Sequence, residues 1–99
     1  MRMMLKVSMP VAEGNKAIKD GSLPKTVMAF VEKYKPEACY FTSEGGLRTG
    51  IFFFDMAHPS DIPSIAEPFF MALNAGITFS PAMNLEDMKA GVQKAMEHA

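Results

Sequence analysis

The apolar run from Ile51 to Phe54 (Ile-Phe-Phe-Phe) constrains the fold more than any other part of the sequence. Its β-branched and aromatic residues favour a strand. Successive side chains of a strand point to opposite faces of the sheet, so this run places large apolar groups on both faces. A strand that is apolar on both sides is typical of sheets that are covered on both faces. The fold must therefore supply an apolar layer on each side of this strand.

Four strands are predicted from the alternation of apolar and polar residues, from the content of strand-forming residues and from the turn residues between them. Glu44-Gly45-Gly46 provides the positive-φ residues of a tight hairpin, which makes the second and third strands antiparallel neighbours. Pro81 has no amide proton for a sheet ladder, so the fourth strand is expected at a sheet edge or a bulge. The strands are expected over Met3 to Met9, Ala38 to Ser43, Leu47 to Met56 and Ile77 to Met83.

Helical spacing of apolar residues precedes the hairpin in two stretches. The stretch from Val11 to Asp20 has a weak pattern, and Gly21 then interrupts it. A stronger stripe follows and ends before Pro36, with apolar side chains spaced as on one face of a helix. That stripe comprises Leu23, Val27, Phe30, Val31 and Tyr34.

Two further helices are predicted after the third strand. Ser60 is the expected N-cap of the first, Asp61 suits the positive end of its dipole, and Asn74 closes it. Pro68 removes an amide donor inside this helix, so a kink is expected there. Asn84 is the expected N-cap of the last helix. The apolar stripes comprise Ile62, Ile65, Ala66, Phe69 and Leu73 in the first, and Leu85, Met88, Val92, Ala95 and Met96 in the last.

The predicted order is β-α-β-β-α-β with an extra C-terminal helix, in a single domain over residues 1–99. Right-handed crossovers in this order place both main helices on one face of a four-stranded antiparallel sheet, which is the ferredoxin-like α+β arrangement. The second sheet face is then left without helices. Either the C-terminal helix or a second copy of the chain must cover it. We favour a homodimer packed sheet to sheet, because burial of the aromatic residues there contributes several kcal/mol at about 25 cal/mol per Å².

Composition argues against several classes of partner. The chain has 10 Lys and Arg against 11 Asp and Glu, so no net positive field attracts nucleic acid. The third strand also departs from the motif of RNA-recognition domains at Thr49, Gly50 and Asp55. No apolar run approaches the roughly 18–20 residues of a membrane span. A single cysteine and the absence of a Cys/His cluster predict no disulfide, metal site or other cofactor, and a cytoplasmic location is expected.

Several motifs stand in loops and at helix starts, namely Lys19-Asp20-Gly21-Ser22-Leu23-Pro24-Lys25-Thr26, Pro36-Glu37-Ala38-Cys39-Tyr40-Phe41, Arg48-Thr49-Gly50, His58-Pro59-Ser60-Asp61-Ile62-Pro63, Ala66-Glu67-Pro68-Phe69-Phe70 and Pro81-Ala82-Met83-Asn84-Leu85-Glu86-Asp87. They resemble the motifs of an uncharacterised family of small bacterial proteins, which is similar to the dimeric α+β barrel superfamily. The resemblance covers nearly the whole chain and implies a dimer that contains a cavity. Better-known members of the superfamily include cofactor-free quinol monooxygenases, haem-degrading enzymes, muconolactone isomerases and stress-responsive barrels. The haem-degrading members use a Trp, and this chain has none, so residue roles are not carried over.

His58 and Lys6 are the candidates for proton transfer. His58 lies between the third strand and the following helix, where pocket rims occur in such folds, and imidazole changes charge near neutral pH. Asp55 and Asp61 are close enough in sequence to orient it. Lys6 lies in a strand expected at the sheet centre, where it could bind an anion or act as a base if desolvated. The alternatives are a solvated loop histidine and a lysine paired with a carboxylate.

Tyr40 and Arg48 complete the candidate ligand-binding set of Lys6, Tyr40, Arg48 and His58. Tyr40 could join Lys6, Thr78 and Ser80 in a polar cluster on the face away from the helices. Arg48 begins the third strand and could recognise a carboxylate, with a surface ion pair as the alternative. Cys39 has no activating neighbour in the sequence and is expected to be a buried structural thiol.

Three functions follow from these observations. The leading hypothesis is that a small apolar or weakly acidic molecule binds in a cavity of the barrel dimer. The second is a cofactor-independent enzyme, monooxygenase-like or isomerase-like, that uses His58 or Lys6 for proton transfer. The third is a non-catalytic oligomeric interaction module. A cavity smaller than about 300 Å³ would favour the third over the other two.

Overall fold

A computed structural model describes residues 1–98 of the chain. Two helices connect the first and second strands, and one helix connects the third and fourth. The elements are β1 (Arg2–Met9), α1 (Val11–Asp20), α2 (Ser22–Tyr34), β2 (Ala38–Glu44), β3 (Leu47–Asp55), α3 (Asp61–Leu73), β4 (Gly76–Pro81) and α4 (Leu85–Glu97).

The strands form one antiparallel sheet in the order β2-β3-β1-β4. β4 lies at an edge of the sheet, as the position of Pro81 predicts. The central pair, β1 and β3, runs in register from Arg2 opposite Asp55 to Met9 opposite Arg48. This α+β architecture confirms the predicted sheet and is consistent with a ferredoxin-like fold.

The β2–β3 hairpin turns at Gly45 and Gly46, whose φ angles are +60° and +79°. Residues with a Cβ rarely adopt two consecutive positive φ angles, and tight hairpin turns use glycine for this reason. The turn pairs Glu44 with Leu47 and thereby sets the register of the whole hairpin. The predicted hairpin is confirmed.

One face of the sheet, which we call the core face, packs against α1, α2 and α3. Phe52 and Phe54 of β3 meet the ring of Phe30 from α2 at centroid distances of 5.1 and 5.3 Å. Phe69 of α3 lies 6.0 Å from the same ring. Both main helices therefore lie on one face, as predicted. The other members of the core are Met3, Leu5, Val7, Met9, Ala17, Met56, Ile65, Leu73 and Ala75.

The helix boundaries agree with the sequence expectation in all but one detail. Gly21 has a φ of +82° and separates α1 from α2. α3 continues through Pro68 to Leu73. The correction concerns Ser60, whose side chain makes no capping hydrogen bond. Its backbone is already helical, which turns the hydroxyl away from the amides that a capping oxygen would reach.

The other face of the sheet, which we call the open face, carries no helix in the described part of the chain. Its residues alternate with core residues along β1 and β3. Met4, Ile51 and Phe53 are half-buried there, and Tyr40 is 63% exposed. The open face comprises Arg2, Met4, Lys6, Ser8, Ala38, Tyr40, Thr42, Glu44, Leu47, Thr49, Ile51, Phe53, Asp55, Thr78 and Ser80.

The helix α4 extends from the rest of the domain. With this helix included, the domain measures 54 × 27 × 19 Å. Asn84 caps it, because its side chain accepts the amide of Asp87 at 2.8 Å while the Asp87 carboxylate accepts the amide of Asn84. The predicted N-cap is thus confirmed. No residue of α4 is buried. None of the described helices combines the length and apolar character needed to cross a membrane.

Candidate functional site

An apolar cavity of about 410 Å³ lies between the core face of the sheet and helices α2 and α3. Arg48 is the charged residue among those that line it, the exposed lining is almost entirely apolar, and within residues 1–98 the lining contains no Asp, Glu, His, Lys or Cys. Its lining consists of Val7, Met9, Leu23, Pro24, Val27, Met28, Phe41, Thr42, Arg48, Thr49, Gly50, Phe52, Phe69 and Leu73.

Gly50 lies in the sheet floor of this cavity. It lies in β3 on the core face, opposite Val7 of β1 and Phe41 of β2. A Cβ at this position would stand 3.0 Å from the ring of Phe52 and 3.4 Å from the ring of Phe41. Glycine inside a strand weakens it, and it often marks a place where a ligand or another chain segment approaches closely. Here the missing side chain lets the two aromatic rings pack against the strand, with their centroids 5.7 Å apart.

Arg48 lines the same cavity and reaches from β3 to the helix α1. Its Nη2 donates a hydrogen bond to Oδ1 of Asn15 at 2.9 Å, and its Nη1 donates to the carbonyl of Val11 at 3.4 Å. Gly14 makes this approach possible, because a Cβ there would lie 2.6 Å from Nη1. The backbone of α1 and one amide side chain thus hold the guanidinium in place.

The positive charge of Arg48 is not balanced by a carboxylate within residues 1–98. Both of its hydrogen-bond partners are neutral. A guanidinium has five N–H donors in a planar fork that matches a carboxylate, and only two are engaged here. An anion at this end of the cavity would meet a cation with free donors. The ion pairs of the described chain join Met1 to Asp55, Arg2 to Glu37 and Asp87, and Lys6 to Glu44.

No protein-family model matches this chain, and no curated protein matches it. The function is therefore inferred from the cavity and its surroundings.

Lys6 and Tyr40 lie on the open face, so the sheet separates them from the Arg48 cavity. The register places both on either side of Ile51, with Thr78 and Ser80 on the same face. The Lys6 ammonium donates to Oε1 of Glu44 at 2.9 Å. The structure therefore brings Lys6 and Tyr40 together but does not bring them to Arg48.

His58 is exposed in the turn before α3 and does not line the cavity. The two carboxylates that could orient it have other partners. Asp55 accepts a hydrogen bond from the amino group of Met1 at 2.7 Å, and Asp61 accepts the backbone amide of His58 at 3.2 Å. Neither hydrogen bond fixes the imidazole ring. The site prediction for His58 thus has no supporting contact.

Cys39 is half-buried and packs against the core. Burial raises the pKa of its thiol, which disfavours the nucleophilic thiolate. Within residues 1–98, no cluster of three or more His, Cys, Asp or Glu side chains could hold a metal ion. A second, shallow groove of about 500 Å³ lies on the outer surface between α2 and α3, next to Pro68.

Sequence analysis identified Arg48 as a candidate but missed the two glycines that shape its surroundings. Gly50 interrupts a strand that is otherwise apolar and bulky, and this interruption is a usable signal of close approach. Gly14 gives a weaker signal, because a glycine within a helical pattern has many explanations. Its role becomes clear only once α1 is placed beside the end of β3.

Proposed function

We propose that this protein binds a small, mostly apolar molecule with one anionic end in the cavity beside Arg48. The observation that carries the proposal is an apolar cavity lined by Arg48, whose guanidinium has no acidic partner in the described chain. Its volume of about 410 Å³ falls in the range of about 300–1,000 Å³ that small-molecule sites occupy. A medium-chain or aromatic carboxylic acid has the matching chemistry.

The energetics indicate why the charged end matters. Burial of the tail of an eight-carbon acid contributes about 5 kcal/mol at about 0.8 kcal/mol per methylene. Association costs at least about 4 kcal/mol in lost translational and rotational freedom. A hydrogen bond to a charged group adds about 1.5–3 kcal/mol. The interaction with Arg48 therefore decides whether a ligand of this size binds measurably.

Isothermal titration calorimetry with octanoate and octan-1-ol as probes tests the proposal. We expect Arg48→Met to weaken octanoate binding about 10- to 100-fold, because it keeps the aliphatic stem and removes the charge. Octan-1-ol binding should change less than about 3-fold, since the alcohol has no charge to lose.

Lys6→Met is the matched control, because it removes one positive charge from the open face. It should change octanoate affinity less than about 3-fold, as expected for a charge on the far side of the sheet. Equal losses in Arg48→Met and Lys6→Met would contradict the proposal, as would a wild-type protein that does not bind octanoate at millimolar concentration.

Gly14→Ala moves the guanidinium without removing it. The new Cβ would lie 2.6 Å from Nη1, so the flexible end of Arg48 must shift. Helix propensity favours alanine by about 1 kcal/mol, which offsets the loss of one hydrogen bond of similar size. We expect the free energy of unfolding in urea to change by less than about 1 kcal/mol while octanoate affinity falls. Unchanged affinity in this variant would show that the position of the guanidinium is unimportant.

We also propose that two copies associate through their open faces, and that the chain belongs to the dimeric α+β barrel superfamily that its motifs resemble. Two observations support this proposal. One is the sheet order, and the other is that no helix covers the apolar residues Met4, Ile51 and Phe53 of the open face. Four polar side chains of the face are suited to burial because they already have partners within the face. Lys6 pairs with Glu44, and the hydroxyls of Ser8 and Thr49 share a hydrogen bond of 3.0 Å.

A further inference from the structure

The helix α4 carries an apolar stripe that nothing in the described chain covers. Leu85, Met88, Val92 and Met96 follow one another along this stripe and are between 42% and 71% exposed. Helices shorter than about 12–15 residues are marginal in water without tertiary packing. α4 has 13 residues, and its capping box secures only its first turn. The stripe therefore requires a partner surface.

The start of α4 is tied to the end of the sheet by Arg2, whose side chain belongs to the open face. Its guanidinium pairs with Glu37 through Nε and with Asp87 of α4 through Nη1 at 3.4 Å. The amide of Ala82 donates to the Arg2 carbonyl at 3.1 Å, which fixes the chain just before the helix. A second copy seated on the open face would therefore lie directly beside α4.

We propose that the apolar stripe of α4 docks on this second copy, so that each protomer of the dimer holds the other with its C-terminal helix. The inference rests on the homodimer proposed above. The open face is one apolar surface that nothing in the described chain covers, and the stripe of α4 is the other. The inference assigns a partner to the stripe. A symmetric dimer makes the contact twice, because both copies carry the same helix.

The area needed for a stable dimer supports the same arrangement. A face of four strands about 4.8 Å apart and about 25 Å long covers roughly 500 Å², so two faces bury about 1,000 Å². Stable interfaces bury about 1,200–2,000 Å² in total. A 13-residue helix is about 20 Å long and about 10 Å wide, so one docked helix covers roughly 200 Å². The same area is buried on the partner and the contact is made twice, so the two helices add roughly 800 Å² in total. The sheet faces alone fall short, and the helices bring the interface into the standard range.

Sedimentation equilibrium of the full chain tests the contribution of the stripe. Val92→Asp places a carboxylate on the stripe and should raise the dimer dissociation constant at least about 100-fold, because the cost of burying a charge arises twice in the dimer. Ala90→Asp adds the same charge to the opposite side of α4 and should change the constant less than about 3-fold. Equal effects of the two substitutions would overturn the inference.

Paramagnetic relaxation enhancement locates the contact independently of affinity. A spin label at Lys94→Cys, in a Cys39→Ser background, sits away from the stripe. In mixed dimers with an unmodified ¹⁵N-labelled chain, we expect amide signals of the ¹⁵N-labelled chain to be attenuated. A second sample, in which the spin-labelled chain itself carries ¹⁵N and is diluted into unlabelled protein, reports attenuation within one chain. Attenuation in that sample alone would overturn the inference, because α4 would then fold back on its own sheet. A dimer that forms without intermolecular attenuation refutes the docking alone, whereas a wild-type protein that stays monomeric also refutes the homodimer.

Discussion

Phe52→Ala is expected to lower the free energy of unfolding by about 3–5 kcal/mol, the range for removing a large aromatic side chain from a core. Phe52 is 1% exposed, and its ring centroid lies 5.1 Å from Phe30, 5.7 Å from Phe41 and 6.4 Å from Phe69. The loss is a large share of the roughly 5–15 kcal/mol that stabilises a typical domain. Urea denaturation followed by circular dichroism measures it.

Phe53→Ala is the matched control, since it removes the same side chain from the next position of β3. Phe53 belongs to the open face and is only half-buried in the single chain. Its substitution should therefore cost less in dilute protein, and the cost should grow with protein concentration as the dimer forms. The loss of unfolding free energy in Phe52→Ala should be the same at all protein concentrations, because Phe52 faces the core and not the interface. Equal and concentration-independent losses would contradict the assignment of the two rings to opposite faces.

Phe53→Asp is expected to raise the dimer dissociation constant at least about 1,000-fold, which corresponds to about 4 kcal/mol. The substitution removes an apolar ring from the open face and places a carboxylate in the proposed interface, where burial of an unpaired charge costs several kcal/mol. The dimer is symmetric, so each interface receives two such charges. Sedimentation equilibrium measures the constant, and circular dichroism shows whether the fold is retained.

Phe70→Asp provides the comparison for this prediction. Phe70 lies on α3 and is 42% exposed on the helix side of the molecule. The same change of residue type there should alter the dissociation constant less than about 3-fold, because the site is remote from the open face. Comparable weakening by Phe70→Asp, or an undisturbed dimer in Phe53→Asp, would refute the proposed interface.

The sequence predicted the sheet and its helices well because local signals agreed with one another. The glycine pair at 45 and 46 defined the hairpin, Pro81 marked the edge strand, and alternation along β1 separated the two faces. Each signal acts through the backbone or through strong apolar patterning, which tertiary contacts rarely override. The Ser60 cap failed because a capping oxygen depends on the geometry of one residue, which composition does not specify.

The candidate site was harder to predict because it depends on which face each side chain occupies. Lys6, Tyr40 and Arg48 were grouped around one cavity, yet the register places Arg48 on the core face and the other two on the open face. The two-residue turn at Gly45 and Gly46 already implies this separation for Tyr40 and Arg48, since it pairs Tyr40 with Ile51. Register was thus the available signal.

Two other features could not be predicted from local sequence. The cavity is lined by strands and helices that come from distant parts of the chain, and its volume depends on how those helices pack. The exposure of α4 is also a tertiary outcome. Its amphipathic pattern from Leu85 to Met96 predicts a buried stripe, yet no residue of the helix is buried in the described chain.

The most direct test of the proposed function is to observe where octanoate binds. Intermolecular nuclear Overhauser effects between the terminal methyl group of octanoate and the protein's methyl groups should identify Val27, Leu23 and Leu73, all of which line the cavity. The signals should disappear in Arg48→Met at the same ligand concentration. Contacts confined to the exposed methyl groups of α4, such as Val92, or contacts that persist in Arg48→Met, would contradict binding of an anionic ligand beside Arg48.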